Sequence, residues 1–177
     1  MNMTNTISAI HQAEVSTTNL QNAESGFVAS DILRDSLQSV LVDLIALSFS
    51  GKQVHWNIVG PNFRDLHRNF DDVVEIAREG SDTIAERMRA LHVAPDGRTD
   101  VVSATTTLPE LPAGEILSSD AVDLVVKSIE ATTRTIREVH DAVDSADPST
   151  ADLLHELINK LEQQAWFIAA EKRQPQD

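Results

Sequence analysis

Apolar residues recur every three or four positions along four stretches of the chain, a spacing that places them on one face of an α-helix. In the first stretch they are Leu33, Leu37, Val40, Leu41, Leu44 and Leu47. This stretch starts at Ser30 or Asp31, either of which is a good N-cap. The second stretch starts at Asn62, which with Asp65 resembles a capping pair, and continues to about Leu91. The third and fourth stretches lie in the C-terminal half, so the pattern predicts four amphipathic helices.

Helix-breaking residues separate these stretches in an uneven way. Gly60-Pro61 gives a short turn between the first two helices, and Pro95-Asp96-Gly97 ends the second. Residues 95–118 form a long crossover with at most a short helix inside. The third helix begins near Ser118–Asp120, and Asp147-Pro148-Ser149 separates it from the fourth. This order predicts an all-α, ferritin-like four-helix bundle with a long crossover between helices 2 and 3.

The bundle is predicted to occupy residues 31–172, between two tails. Residues 1–30 are rich in Ser, Thr, Asn and Gln, and Glu14 and Glu24 are their only acidic or basic residues apart from one His. We therefore expect a flexible N-terminal tail. Residues 173–177 are predicted to form a short C-terminal tail.

Composition narrows the chemistry that the chain can support. Its 177 residues include no Cys, so oxygen and imidazole nitrogen are the available metal ligands. Acidic residues outnumber Lys and Arg by 28 to 14, and the net charge of −14 disfavours a surface built to bind nucleic-acid phosphates. No apolar run approaches the roughly 20 residues that span a bilayer. The N-terminal residues lack the pattern of a signal peptide, so we expect a cytoplasmic protein.

Four side chains that can bind a metal share one stripe of the second predicted helix. They are His67, Asp71, Asp82 and Glu86. At about 100° per residue they fall within an arc of about 100° around the helix axis. Along the axis the first two are about 6 Å apart, and so are the last two, but about 16 Å separates the pairs. The spacing therefore indicates two half-sites, which a second, antiparallel copy of the helix would complete across a twofold dimer interface.

His55 is a fifth candidate ligand. It precedes Gly60 by five residues and His67 follows Gly60 by seven. If the two helices pack antiparallel, both imidazoles lie at similar heights, about 7 and 10 Å from the turn. A set of two His, two Asp and one Glu suits iron, manganese, cobalt or zinc. Iron oxidation in particular needs carboxylates that stabilise the ferric product.

Each of these residues also has an ordinary structural interpretation. Acids on a helix of so acidic a chain are most often solvated, and Asp82 and Glu86, with two arginines nearby, can form surface ion pairs. A His next to a Trp, as in His55-Trp56, is more often a packed side chain than a ligand. The joint spacing favours a metal site, but helix geometry alone leaves the two interpretations about equal.

Other constellations in the sequence are weaker. Asp152 and His155 form an i, i+3 pair that could chelate a metal, but nothing else in the sequence joins them. The Glu-x-x-His pairs of an intrasubunit di-iron centre do not occur in the sequence, which disfavours such a centre. No base and orienting group accompany a Ser in a way that favours a hydrolase.

Two motifs carry a resemblance to a known family. One is the stretch His-Trp-Asn-Ile-Val-Gly-Pro-Asn-Phe from His55 to Phe63, with His67 and Asp71 after it; the other is Asp-Thr-Ile-Ala-Glu-Arg at residues 82–87. In combination they closely resemble the Dps family (DNA-binding proteins from starved cells, or mini-ferritins), and most of all its actinobacterial branch. The resemblance covers about residues 30–172. It implies a hollow dodecamer that oxidises Fe(II) and stores a ferric mineral inside.

The resemblance also implies roles for individual residues. Each ferroxidase site is expected to bind two iron ions. One subunit is expected to supply the ligands His55, His67 and Asp71. Its twofold mate is expected to supply Asp82 and Glu86. Trp56 corresponds to a tryptophan beside the iron site that intercepts radicals. Hydrogen peroxide is commonly the oxidant in the family, with oxygen as the other acceptor.

Acids elsewhere in the chain are candidates for iron uptake and mineral growth. The family's acidic pores lie on threefold axes near the start of the fourth helix, where the acids here are Asp144, Asp147 and Asp152. Asp72 is a candidate for seeding the mineral. Helix capping and solvated charge remain equally good explanations for each of the three pore candidates.

The leading functional hypothesis is therefore an iron-oxidising, iron-storing cage that protects DNA from oxidative damage. One alternative is a nucleoid-associated protein that compacts DNA, with iron oxidation secondary. Family members that condense DNA usually do so with tails rich in Lys and Arg, whereas the first such residue here is Arg34 and the last are Lys172 and Arg173. A bundle scaffold without metal is a third possibility.

Overall fold

Four long helices and one short helix make up the part of the chain that this computed structural model describes, residues 26–174. They are α1 (Asp31–Asn57), α2 (Phe63–Ala90), α3 (Thr99–Thr105), α4 (Ser118–Ala146) and α5 (Pro148–Ala170). The short α3 lies in the crossover between α2 and α4, so the predicted bundle with one long connection is confirmed. Most of the predicted N-terminal tail, residues 1–25, and the last three residues lie outside the described part.

The four long helices pack as a bundle around one apolar core. Helix α1 packs against α2 and α4, and α5 packs against α4 and α2. The largest fully buried side chains come from all four helices and are Leu33, Leu37, Leu44, Leu47, Leu66, Phe70, Ile84, Met88, Ile129, Ile136, Leu154 and Leu161. Within residues 26–174, no helix combines the length and the apolar character that a membrane crossing needs.

Local chemistry explains where the helices start. The Ser30 hydroxyl accepts a hydrogen bond from the Leu33 amide, as expected for an N-cap, and Pro148 occupies the first turn of α5. The capping pair predicted at Asn62 is wrong. Asn62 has a left-handed backbone (φ 58°) rather than the extended backbone of an N-cap, and it makes no capping bond. Its side-chain amide group donates to Glu171 at 3.0 Å.

Two short strands were not predicted. Strand β1 (Ile58–Val59) pairs in parallel with β2 (Ile116–Leu117), so the end of α1 is tied to the end of the crossover. Two-residue strands have no periodicity that a sequence pattern can reveal. Gly60 follows β1 with φ 111°, a backbone conformation that residues with a side chain rarely adopt. A Cβ atom there would lie 3.0 Å from the Leu117 side chain.

A glycine also sets how closely α1 approaches α2. A Cβ on Gly51 would lie 2.7 Å from a methyl group of Val74, so any larger residue would force the two helices apart. Val74 lies within one helical turn of Asp71, and Gly51 lies four residues before His55. The close approach therefore positions the side chains from which the candidate site is built.

Candidate metal centre

The structure brings His55 and His67 together, as the spacing around the turn predicted. His55 lies near the end of α1 and His67 near the start of α2, and their ring centroids are 3.5 Å apart with an interplanar angle of 23°. His55 is buried, and His67 is partly buried. Two imidazoles from consecutive helices thus form one stacked pair.

A reciprocal pair of hydrogen bonds fixes the two rings. The Nδ1 atom of His55 lies 2.8 Å from the carbonyl oxygen of His67, and the Nδ1 atom of His67 lies 3.0 Å from the carbonyl oxygen of His55. Because a carbonyl oxygen only accepts, each Nδ1 must carry the proton. In the neutral form each Nε2 then keeps a free lone pair, which is the arrangement that a metal-binding histidine needs.

A positive charge already lies beside this pair. The Lys52 ammonium group is 2.5 Å from Asp71 Oδ1 and 3.4 Å from His55 Nε2. Asp71 Oδ1 also lies 3.3 Å from the Nδ1 atom of His55. Two predicted metal ligands therefore contact a cation in this structure.

The charge state of Asp71 follows from these contacts. Partial burial raises the pKa of its carboxyl group, but the hydrogen bond from Lys52 and the positive charge of Lys52, together with the nearby rings of His55 and His67, outweigh burial. The pKa of Asp71 is therefore lowered from its usual value, and the group is an anion at neutral pH. Its side chain is 48% exposed, so solvent screens these interactions considerably.

Asp82 and Glu86 lie further along α2, and both are exposed. Neither makes an ion pair or a side-chain hydrogen bond with any residue of the described part. Arg87, which could have neutralised them, instead donates to Asp147 at 2.6 Å and to the Thr150 hydroxyl at 2.8 Å. Within the described residues, Asp82 and Glu86 therefore do not form the surface ion pairs that were the alternative interpretation of these acids.

No three His, Asp or Glu side chains within residues 26–174 of one chain are grouped so that they could hold a metal ion. The stacked imidazoles and Asp71 lie at one end of α2, whereas Asp82 and Glu86 lie at least three turns further on. The predicted ligands of a single chain thus form two separated groups.

Trp56 directly follows His55 in the sequence, and its side chain is 69% exposed. It lies two turns after Phe49, which is also exposed, and both line an open groove between α1 and the crossover. The crossover contributes Leu108 and Leu111 to the same groove. An apolar, aromatic surface of this kind is typical of a contact between proteins.

The other predicted acids have distinct surroundings. Asp144 and Asp152 are exposed near the α4–α5 turn, and Asp72 is exposed on α2. Asp147 is only 12% exposed and accepts hydrogen bonds from Arg87 and Thr150. Its carboxylate therefore joins α2 to the start of α5.

Sequence reasoning missed Lys52 and the partner of Arg87. Lys52 precedes His55 by three residues, which places it on the same face of a helix, and this spacing was the available signal. The Arg87–Asp147 pair joins residues 60 positions apart, so only the packing of α2 against α5 reveals it.

Comparisons with known proteins agree with this architecture. The sequence profile of the ferritin-like domain family matches residues 34–174. The DNA protection during starvation protein of Agrobacterium fabrum is 34% identical over 150 residues, which cover 84% of this chain and 89% of that one. This match decides the assignment. The chain belongs to the Dps family.

Two further relatives of this Dps family member are informative. DNA protection during starvation protein 2 of Deinococcus radiodurans is 31% identical over 135 residues, or 76% of this chain, and the match spans only 56% of the relative. The solved structure of Dps from Microbacterium arborescens in the high iron form has a TM-score of 0.77 and 30% identity, and the match covers 82% of this chain and 97% of that one.

Proposed function

We propose that the protein oxidises Fe(II) at sites shared between two subunits and stores the ferric product inside a dodecameric cage. The observation that carries this proposal is the stacked pair of His55 and His67. Both Nε2 atoms are unprotonated in the neutral rings because both Nδ1 atoms donate to carbonyl oxygens, and Asp71 stands beside them. The Lys52 ammonium group already occupies a position between a carboxylate and an imidazole, which supports a site adapted to cations.

In this proposal, Fe(II) displaces the ammonium group of Lys52 from Asp71. His55 and His67 supply neutral nitrogen ligands, and Asp71 supplies negative charge that favours Fe(III) over Fe(II). Two Fe(II) ions each lose one electron, and hydrogen peroxide accepts both as its O–O bond breaks. With two protons the products are two Fe(III) ions and two water molecules. Oxygen is the alternative acceptor.

A second copy of the chain supplies the missing ligands in this proposal. Asp82 and Glu86 are exposed and have no charge partner in the described part of their own chain. The aromatic groove that contains Phe49 and Trp56 offers a surface for twofold contact between copies. A relative whose structure was solved in a high iron form has the same fold, which supports iron as the substrate.

DNA protection then follows from consuming Fe(II) and peroxide together, without a need to bind DNA. Compaction of DNA is the less favoured function, because each chain carries a net charge of −14 and repels phosphates. A cytoplasmic location, where Fe(II), peroxide and DNA meet, is part of the proposal.

The test combines two single variants, His67→Ala and Asp82→Ala, in the assembled protein. Each variant alone is expected to oxidise Fe(II) at least about a hundredfold more slowly than the parent, measured by stopped-flow absorbance. If either oxidises Fe(II) at the parent rate, the assignment of that ligand is wrong.

Co-assembly of the two variants then tests whether the site is shared. In a mixed dimer one site lacks both side chains and the other has every ligand, so random mixing restores about a quarter of the parent rate. If all ligands of a site came from one chain, every site would lack a ligand and mixing would restore nothing. Each variant mixed with itself is the control.

A further inference from the structure

The stripe of α2 that carries four predicted ligands holds two further charged residues. Glu75 and Arg78 lie between the two half-sites, and at about 100° per residue they fall inside the arc that runs from His67 to Glu86. Both are exposed. Neither forms an ion pair with another residue of the range 26–174, although their spacing of three positions suits a pair within the helix. One negative and one positive charge are therefore available for a contact between chains.

Six charged or imidazole residues of this stripe are spaced symmetrically along the helix. Separated in turn by four, four, three, four and four positions, they are His67, Asp71, Glu75, Arg78, Asp82 and Glu86. The spacing is the same in both directions, and its midpoint lies between Ile76 and Ala77. A second copy of α2, packed antiparallel about this midpoint, therefore sets every one of the six residues opposite another of the six.

This arrangement matches opposite charges at its centre. Glu75 lies opposite Arg78 of the second copy, and Arg78 lies opposite Glu75 of the second copy. Both residues are about 2 Å from the midpoint along the helix axis, whereas Asp71 and Asp82, which also face each other, are about 8 Å from it. The two aspartates repel each other unless a cation lies between them. The central charges are thus attractive whether or not a metal is bound.

The aromatic groove lies on the same face as these charges. Arg78 lines the groove together with Phe49 and Trp56, so the apolar surface and the central charges are continuous. A second copy that covers the groove would exclude water from the charges and strengthen their attraction. Apolar contact favours association but does not fix a position along the helix, whereas paired charges do.

We propose that two reciprocal ion pairs between Glu75 of one copy and Arg78 of the other fix the register in which the two α2 helices pack at the twofold axis. The proposal rests on the shared site of the proposed function, because the same register sets Asp71 opposite Asp82. A slip of three positions in one direction sets Glu75 against Glu75, and in the other direction Arg78 against Arg78, so both slips place like charges together. The two residues are positioning residues, which act on the metal ligands through helix packing.

The test reverses single charges in the full-length protein and measures association by sedimentation velocity over a range of protein concentrations. Arg78→Glu places two carboxylates from each copy at the centre of the contact, and Glu75→Arg places two guanidinium groups from each copy there. Each variant alone is expected to associate at least about tenfold more weakly than the parent. Because the two substitutions change the net charge in opposite directions, a general effect of charge would not weaken both.

An equimolar mixture of the two variants gives the decisive result. In a mixed pair every Glu faces an Arg, so association is expected to return to within about threefold of the parent. Fe(II) oxidation, measured by stopped-flow absorbance, is expected to return with it. The double variant Glu75→Arg/Arg78→Glu, in which both signs are exchanged, is also expected to associate like the parent. Recovery in the mixture shows in addition that each variant is folded.

The control is Glu138→Arg, an exposed acid of α4 that gives the same change in net charge as Glu75→Arg and is expected to associate like the parent. Parent-like association of both single variants, or a mixture that associates no better than either variant alone, would overturn the proposal. Neither outcome bears on the ligand variants His67→Ala and Asp82→Ala. Recovery of association without recovery of Fe(II) oxidation would uphold the ion pairs and count against the shared ferroxidase site.

Discussion

Two aspartates on neighbouring helices, Asp43 in α1 and Asp71 in α2, have very different surroundings. Asp43 is 1% exposed, and its two carboxylate oxygens accept four hydrogen bonds. Three come from the Thr106 hydroxyl and from the Thr107 amide and hydroxyl in the crossover, and one comes from Thr135 in α4. All four are between 2.7 and 2.8 Å long. The carboxylate of Asp43 thus uses its hydrogen-bond acceptors within the fold.

Asp71 is half exposed, and its described contacts all involve one oxygen and groups that carry or can carry positive charge. It therefore keeps room for another ligand, whereas Asp43 has none. The difference teaches that burial alone does not identify a functional acid in this bundle. A better sign is an acid that is held in place by cations and still has an unused oxygen.

Removal of the Asp43 carboxylate is expected to give the largest effect on stability. Asp43→Ala removes the acceptor of three hydroxyls and one amide under the crossover, which costs roughly 3–5 kcal/mol of unfolding free energy. The melting temperature, measured by calorimetry at fixed protein concentration, is expected to fall by about 10 °C.

Asp43→Asn is the matched variant. It keeps the size of the side chain and one carbonyl oxygen, so its melting temperature should fall less than that of Asp43→Ala. The initial rate of Fe(II) oxidation by the folded fraction should be unaffected in both variants. A loss of oxidation without a loss of stability would reverse the comparison between Asp43 and Asp71.

Asp71→Asn is expected to have the opposite profile. Loss of the anionic ligand slows Fe(II) oxidation about a hundredfold, or about 2.7 kcal/mol, while the melting temperature changes by less than about 3 °C because the ion pair is half exposed. Stopped-flow absorbance and calorimetry on the same sample measure both quantities. The control is Asp65→Asn, an exposed acid in the first turn of α2 that is expected to keep the parent oxidation rate. Equal losses in the two variants would argue against Asp71 as a ligand.

Lys52→Met asks whether the ammonium group competes with the metal. With the charge removed, Asp71 and His55 are free to bind a cation, and Co²⁺ is expected to bind at this site about tenfold more tightly, or about 1.4 kcal/mol. Isothermal titration of the assembled protein measures the affinity. Lys52→Arg, which keeps the positive charge, should bind Co²⁺ no more tightly than the parent. If Lys52→Met binds Co²⁺ more weakly, Lys52 supports the ligands rather than competing with the metal.

Much of the fold follows from local sequence patterns, and the reasons are physical. Helical periodicity, the Ser30 cap and Pro148 act within one or two turns, so they are visible in the sequence. The left-handed Asn62 and the two short strands depend on contacts with Glu171 and β2, which lie far away in the chain. Local patterns do not contain that information.

The candidate site shows the same division. The positions of His55 and His67 relative to Gly60 predicted imidazoles at similar heights if the two helices pack antiparallel, and the structure shows that packing. The contact of Lys52 with Asp71 depends on how closely α1 approaches α2 at Gly51. Asp43, in a run of apolar residues, was not identified because nothing nearby in the sequence indicates its three threonine partners.

Asp147 tests the comparison between the two aspartates most finely, because it combines burial with a cationic partner. Burial raises the pKa of its carboxyl group, but hydrogen bonds from Thr150 and Arg87, the Arg87 charge and a backbone bond from Ser149 outweigh burial, so the pKa is lowered. A carboxyl group with a lower pKa in the folded state contributes stability above its unfolded pKa of about 4, and this stability is lost as the pH falls through the folded value.

Asp147→Asn is therefore expected to destabilise the protein by about 1 kcal/mol at pH 6, with a smaller difference from the parent below about pH 4, as measured by melting temperature. Fe(II) oxidation at saturating iron should be unchanged, as for Asp43. A variant as stable as the parent at pH 6 but slow to take up iron would instead assign Asp147 to a pore.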